Sequence, residues 1–248
     1  MTLEQFFQEN KRVAIAFSGG VDSAYLLYAA MQSGADVRAY FVKSAFQPQF
    51  ELEDARKLAS QLGTTMEVLE VDVLCEGQIT ANPSDRCYHC KRVIFEAIAE
   101  AAAKDGYSLL IDGTNASDDA ADRPGMKALT ELSVRSPLRE CDLTKDEIRG
   151  LSKEAGLFTW DKPAYACLAT RIPAGEEITA EKLQRTEAAE NFLTSQGFVD
   201  FRVRSKEDAA KIQVTAQDWP KIMASRETVF TELKRYYKEV TLDLEVRK

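Results

Sequence analysis

Short apolar runs alternate along the chain with longer stretches whose apolar residues recur every three or four positions. Residues 12–18 (RVAIAFS) read as a buried strand, stopped by Gly19 and Gly20. From Asp22 to about Gln32 the spacing is helical, and Ser33-Gly34 closes it. A strand follows at 36–42, a helix from about Gln49 to Leu62, and a third strand at 65–73. This β-α-β-α-β order predicts a parallel sheet with helices on both faces, an α/β class of Rossmann-like form.

The stretch 74–90 is less regular. An alanine-rich helix is expected at 91–104 and a fourth strand at 108–115 (SLLIDGTN), while 116–142 read as loop. Thr144 with Glu147 three residues on forms a capping box, so a helix is expected at 144–155, closed by Gly156. Past residue 160 the pattern changes. A long irregular stretch with Pro163 and Pro173 leads into a helix at 179–196, strands at 198–204 and 210–215, a helix at 217–236 and a last strand at 239–246. Two domains are expected: 1–160, and a small α+β C-terminal domain over 161–248.

With 248 residues, 45% of them hydrophobic, the chain can bury a large core, which excludes intrinsic disorder. No apolar run approaches the ~18–20 residues of a membrane span. The first dozen residues are polar and carry no leader pattern, so a cytoplasmic location is expected. Forty acidic residues against 32 basic ones give a net charge of −8, which repels an extended phosphate backbone. A small phosphorylated ligand in a local basic pocket suits this chain better than a large nucleic acid.

Ser18-Gly19-Gly20-Val21-Asp22-Ser23 joins the first strand to the first helix. Glycines let backbone N–H groups close on an anion, the serines add hydroxyls, and the helix N-terminus adds a positive dipole. Neither the Walker A pattern nor the dinucleotide fingerprint is present. A plain serine-capped turn is the simpler reading of SGG alone, but not of the full hexapeptide after an apolar strand. SGGVDS resembles the pyrophosphate loop of the ATP pyrophosphatases, or PP-loop proteins. The resemblance implies a sheet of the PP-loop/adenine nucleotide hydrolase type. It also implies cleavage of ATP to AMP and pyrophosphate with Mg²⁺, through Ser18, Gly19, Gly20, Asp22 and Ser23. Asp112-Gly113-Thr114-Asn115 matches a second nucleotide-proximal segment, which adds Asp112, Thr114 and Asn115 to the cofactor-binding set.

Of five cysteines, Cys87 and Cys90 form a CxxC around the only histidine, His89, and Cys167 lies far along the chain. Three thiolates can hold a [4Fe–4S] cluster with one iron open. Zinc with His89, a redox dithiol, and inert buried thiols are the alternatives. Cys75 and Cys141 have no partner at metal spacing and are expected in the core.

The segments DRCYHCK, SPLRE and KPAYACLATRIP (162–173), with FRVR (201–204), are similar to the LarE-type sulfur transferases. That resemblance covers residues 13 to 204. It implies adenylation of a carboxylate on a pyridinium dicarboxylate mononucleotide and its conversion to a thiocarboxylate for a nickel-pincer cofactor. Within that family the three cysteines Cys87, Cys90 and Cys167 favour the version in which a cluster on them, fed by a sulfide donor, delivers sulfide; sacrifice of the Cys167 sulfur is the alternative and would leave the CxxC unexplained. The resemblance also implies assembly beyond the monomer. Arg202 and Arg204 alternate along a strand and share a face, where they can grip a phosphomonoester, with Arg171 joining them. A PP-loop tRNA thiolase is the competing enzyme, disfavoured by the net charge. A nucleotide-binding iron–sulfur sensor without turnover is the non-enzymatic alternative.

Overall fold

The computed structural model describes residues 1–118 and 124–247. Asp118, Asp119 and Asp122 are acidic residues that by type could bind Mg²⁺ or face solvent, and the last two lie outside the described residues. The chain divides into two compact units, Met1–Val73 with Asp85–Tyr165, and Leu74–Ser84 with Ala166–Lys248.

The first unit opens with α1 (Leu3–Glu9), β1 (Arg12–Ala16), α2 (Val21–Gln32), β2 (Asp36–Lys43), α3 (Gln49–Gln61) and β3 (Met66–Glu70). The chain then visits the second unit through α4 (Gly77–Thr80). It returns with α5 (Arg86–Lys104), β4 (Leu110–Ile111), α6 (Pro124–Glu131), α7 (Pro137–Glu140) and α8 (Lys145–Glu154). The sheet runs β3-β2-β1-β4, and every pairing is parallel. Its strands alternate between two apolar layers, as a sheet covered on both faces requires. Val13, Ile15 and Phe41 face a core shared with Leu26, Leu27 and Ile148. Ala14, Tyr40 and Val42 face Phe95, Ile98 and Leu129. The order β3-β2-β1-β4 sends the chain away from β1 in one direction and returns it on the other side. The crevice beyond the carboxyl ends of β1 and β4 is therefore the switch point where open α/β sheets bind ligands.

The second unit contains α9 (Ala180–Ser195), β5 (Phe201–Lys206), β6 (Ala209–Val214), α10 (Trp219–Ala224), α11 (Arg226–Leu233) and β7 (Glu239–Leu242). Its sheet runs β5-β6-β7, the first pair antiparallel and the second parallel. Leu193, Phe201, Val203, Ile212, Val229 and Leu233 are buried in its core.

Several elements differ from expectation. The N-terminal segment forms α1, with Thr2 and Gln5 making a reciprocal capping box. Among the described residues of 116–142 lie α6 and α7, and Ser225 separates α10 from α11 within the single helix expected at 217–236. The fourth strand is confined to Leu110–Ile111, and Asp112 after it pairs through its backbone N–H with the Arg135 carbonyl. The CxxC is helical: α5 starts at Arg86, after Pro83-Ser84-Asp85. Cys75 is exposed and Cys141 only half-buried, which corrects their assignment to the core. Both sit beside acidic residues (Glu76; Glu140 and Asp142) that hold the backbone near water. The capping box of α8 forms as expected. Among the described residues, no helix is long and apolar enough to cross a membrane.

Candidate active site

The loop after β1 is built for backbone approach. Gly19 has φ +71°, and a Cβ there would meet Ala55 of α3 at 3.0 Å. Gly20 is the N-cap of α2 and makes no side-chain cap hydrogen bond. Ser23 is buried and organises the loop: its Oγ accepts from the Ser18 N–H at 3.2 Å and donates to the Gly20 carbonyl at 3.3 Å. The two serine hydroxyls lie 3.1 Å apart. This arrangement has the chemistry of a phosphate cradle.

Asp22, in the first turn of α2, is the meeting point of three segments. Its carboxylate accepts from Asn115 Nδ2 at 3.2 Å and from Lys145 Nζ at 2.5 Å. Lys145 opens α8, and its N–H donates to Ser117 Oγ at 2.9 Å. Sequence reading missed Lys145. Its only local signal is its place after the Thr144 cap, and its separation of 123 positions from Asp22 hides the pairing. Asp112 is buried and acts as a brace. It accepts from Ser136 Oγ at 2.6 Å and from Thr114 Oγ1 at 2.6 Å. A Cβ on Gly113 would lie 2.9 Å from the Ser23 nitrogen, so only glycine lets this loop approach the phosphate loop. The structure thus brings the 18–23 loop and the 112–115 loop together, through the Asn115–Asp22 hydrogen bond and the close approach of Gly113 to Ser23.

Mg²⁺ in such a site is held by one or two carboxylates together with substrate phosphates, and Asp22 is placed to serve. A larger metal group is a different matter. Cys87 and Cys90 lie one helical turn apart at the start of α5, with Cys87 exposed and Cys90 half-buried. Arg86 donates to Cys87 Sγ at 3.7 Å. His89 turns its Nε2 back to Asp85 at 3.5 Å. Among the described residues, no three His, Cys, Asp or Glu side chains are gathered so as to hold a metal ion.

In the second unit, Cys167 is half-buried and precedes the 3-10 turn Leu168–Arg171. Its carbonyl accepts from the Thr170 N–H at 3.0 Å and Oγ1 at 2.8 Å. Arg202 and Arg204 lie on β5, as the alternation predicts. Burial, with Arg171 and Arg247 as cationic neighbours, pushes the Arg202 guanidinium down to about 10. The same causes lower Arg204. Glu190, Asp200 and Asp243 offset these charges only in part, and a bound anion would relieve the rest. Arg247, held to Asp200 at 2.9 Å, is a member of this patch that the sequence did not indicate. Arg171 is fully buried, its Nε 2.8 Å from Glu190.

Residues 12–86 match the family model of the queuosine biosynthesis protein QueC. Over 246 residues the chain is 33% identical to pyridinium-3,5-bisthiocarboxylic acid mononucleotide synthase of Lactiplantibacillus plantarum, covering 98% of this chain and 89% of that protein. The chain belongs to the PP-loop sulfurtransferase superfamily of QueC, LarE and MnmA. An uncharacterized protein of Synechocystis sp. is 40% identical, covering 98% of this chain and 92% of its own length. The tRNA-specific 2-thiouridylase MnmA of Thermotoga maritima is 25% identical, over 61% of this chain and 54% of that protein. This PP-loop sulfurtransferase is an enzyme of ATP-dependent sulfur transfer.

Proposed function

We propose that this sulfurtransferase adenylates a carboxylate of a pyridinium dicarboxylate mononucleotide and converts it to a thiocarboxylate, for synthesis of a nickel-pincer nucleotide cofactor. The observation that carries this reading is the arginine patch on β5. Arg202 and Arg204 are partly buried cations, both crowded by Arg171 and Arg247, in the same unit as Cys167, which suits a phosphomonoester. The near full-length match to the Lactiplantibacillus plantarum synthase supports the rest.

In this mechanism Ser18, Gly19, Gly20 and Ser23 hold the ATP phosphates, and Asp22 takes Mg²⁺. Asp112, Thr114 and Asn115 keep the loop in place. A substrate carboxylate oxygen attacks the α-phosphorus and pyrophosphate leaves. The Cys167 thiolate attacks the acyl carbon and expels AMP, forming a thioester. Loss of the Cα proton with cleavage of the Cβ–Sγ bond leaves dehydroalanine on the protein and releases the thiocarboxylate. This route needs one cysteine, which the second unit supplies by itself. Delivery of sulfide from a [4Fe–4S] cluster would need Cys87, Cys90 and Cys167 together.

The test is anaerobic incubation of the protein with MgATP and the mononucleotide. AMP and pyrophosphate should form only when both are present. Mass spectrometry should then show the protein lighter by one H₂S, at Cys167. AMP formation that depends on tRNA instead would replace this reading with a tRNA thiolase. Iron and acid-labile sulfide in the anaerobic protein, with repeated turnover lost in Cys87→Ala, would restore the cluster as the sulfur source.

A further inference from the structure

The turn that carries Cys167 is held by a buried cation. The Arg171 side chain is 0% exposed. Its Nη1 donates to the Ala166 carbonyl at 2.8 Å and to Thr170 Oγ1 at 2.8 Å, with the Cys167 carbonyl at 3.5 Å. On the other side, Nε and Nη2 donate to Oε1 and Oε2 of Glu190 at 2.8 and 3.0 Å. Glu190, on α9, is itself buried, and its Oε1 also accepts the Val203 N–H at 3.0 Å. Val203 lies on β5 between Arg202 and Arg204. A second bridge runs in parallel, because Arg204 Nη1 donates to the Thr170 carbonyl at 2.7 Å. The cysteine turn and the anion-binding strand are thus joined twice inside one unit.

A buried ion pair adds little net stability over a well-packed apolar pair. What the planar guanidinium fork adds is geometry, since its donors can hold a carboxylate on one edge and backbone oxygens on the other. We propose that Arg171 is a positioning residue that fixes the span from the Cys167 backbone to the Arg202–Arg204 anion site. That span then acts as a ruler for the substrate. The reacting carboxylate must lie at a set distance from the phosphate, so a mononucleotide is accepted and a free pyridine dicarboxylate is not. The inference rests on the proposed function, in which Cys167 attacks and β5 holds the phosphate.

The test uses the full chain with the pair replaced as Arg171→Met with Glu190→Met, which leaves no lone buried charge. Nicotinic acid mononucleotide is the probe, and iodoacetamide labelling of Cys167 is read by peptide mass spectrometry. In the wild type the mononucleotide should slow labelling of Cys167, and nicotinate without its phosphate should not. In the paired variant the mononucleotide should still bind, but protection should vanish and thiocarboxylate formation should fall about 10²-fold. Retained protection and retained transfer would overturn the inference. If the paired variant does not fold, Arg171→Lys serves, since it keeps the charge and loses the fork; wild-type behaviour there overturns the inference equally. Thiocarboxylate formation by Cys167→Ser would instead overturn the proposed role of Cys167, and the ruler with it. An inert Cys167→Ser beside a fully active paired variant removes the ruler alone.

Discussion

The loop after β1 in the first unit and the cysteine turn of the second each hold a few atoms still, and they do so with different materials. The loop relies on backbone. Gly19 packs on Ala55, Gly113 packs on Ser23, and the start of α2 carries no side-chain cap. The turn relies on buried polar side chains. Arg171 and Glu190 hold it from one side, and Asn82 holds the chain just after it. Asn82 is buried, adopts φ +52°, and donates to the Pro173 and Glu176 carbonyls at 2.7 and 3.1 Å. A backbone cradle tolerates loss of one side chain in its fold but not in its chemistry. A buried polar frame fails as a structure when one member goes.

The largest break in that comparison should come from Arg171→Ala. It takes the guanidinium fork away from buried Glu190, and breaking a buried pair costs about 3–5 kcal/mol. Thermal melting should show a large loss of stability. Asp22→Ala should do the opposite, with melting little changed and AMP formation lower by about 10²–10³-fold, as when a preorganised electrostatic group is removed. If instead the protein unfolds, the loop also depends on side chains for its fold. Asn82→Ala should fall between these limits. It strips partners from the carbonyls of 173 and 176 and leaves alanine at positive φ, a combined cost of about 1–3 kcal/mol, read in the same melts.

Next comes a pH effect on the anion patch. The lowered Arg202 is charged at neutral pH and loses its proton near pH 10, well below the usual guanidinium range. Phosphate affinity should therefore hold from pH 7 to 9 and fall as pH rises through about 10. Calorimetric titration with nicotinic acid mononucleotide checks the window. A fall centred near pH 7 would place the anion elsewhere. The smallest effect should be Thr144→Ala, which opens the α8 capping box at a cost of about 1 kcal/mol. AMP formation should be unchanged unless the start of α8 also steers Lys145.

The sulfurtransferase fold was legible because its signals are local. Strand alternation, glycine stops and the capping box of α8 all act within a few residues. The start of α5 was missed although Pro83-Ser84-Asp85 carries a helix-start signal, since the two cysteines and His89 invited a metal-loop reading. Arg171 reads in sequence as one more surface cation beside Arg202 and Arg204, yet its guanidinium is buried against Glu190, 19 residues away. Nothing in residue type separates a cation that meets ligand from one that braces a turn.

By itself, then, the amino-acid order determined the α/β class, the glycine loop that opens α2, and the strand on which two arginines share a face. Each follows from backbone conformational preference or from a period of two or 3.6 residues. Only the tertiary structure decided that Lys145 meets Asp22, that Arg247 joins the anion patch, and that Arg171 lies beneath Cys167 rather than in the solvent. Those are encounters between charges distant in sequence. Their partners and burial depend on which surfaces the packed units bring together, and no local pattern encodes that.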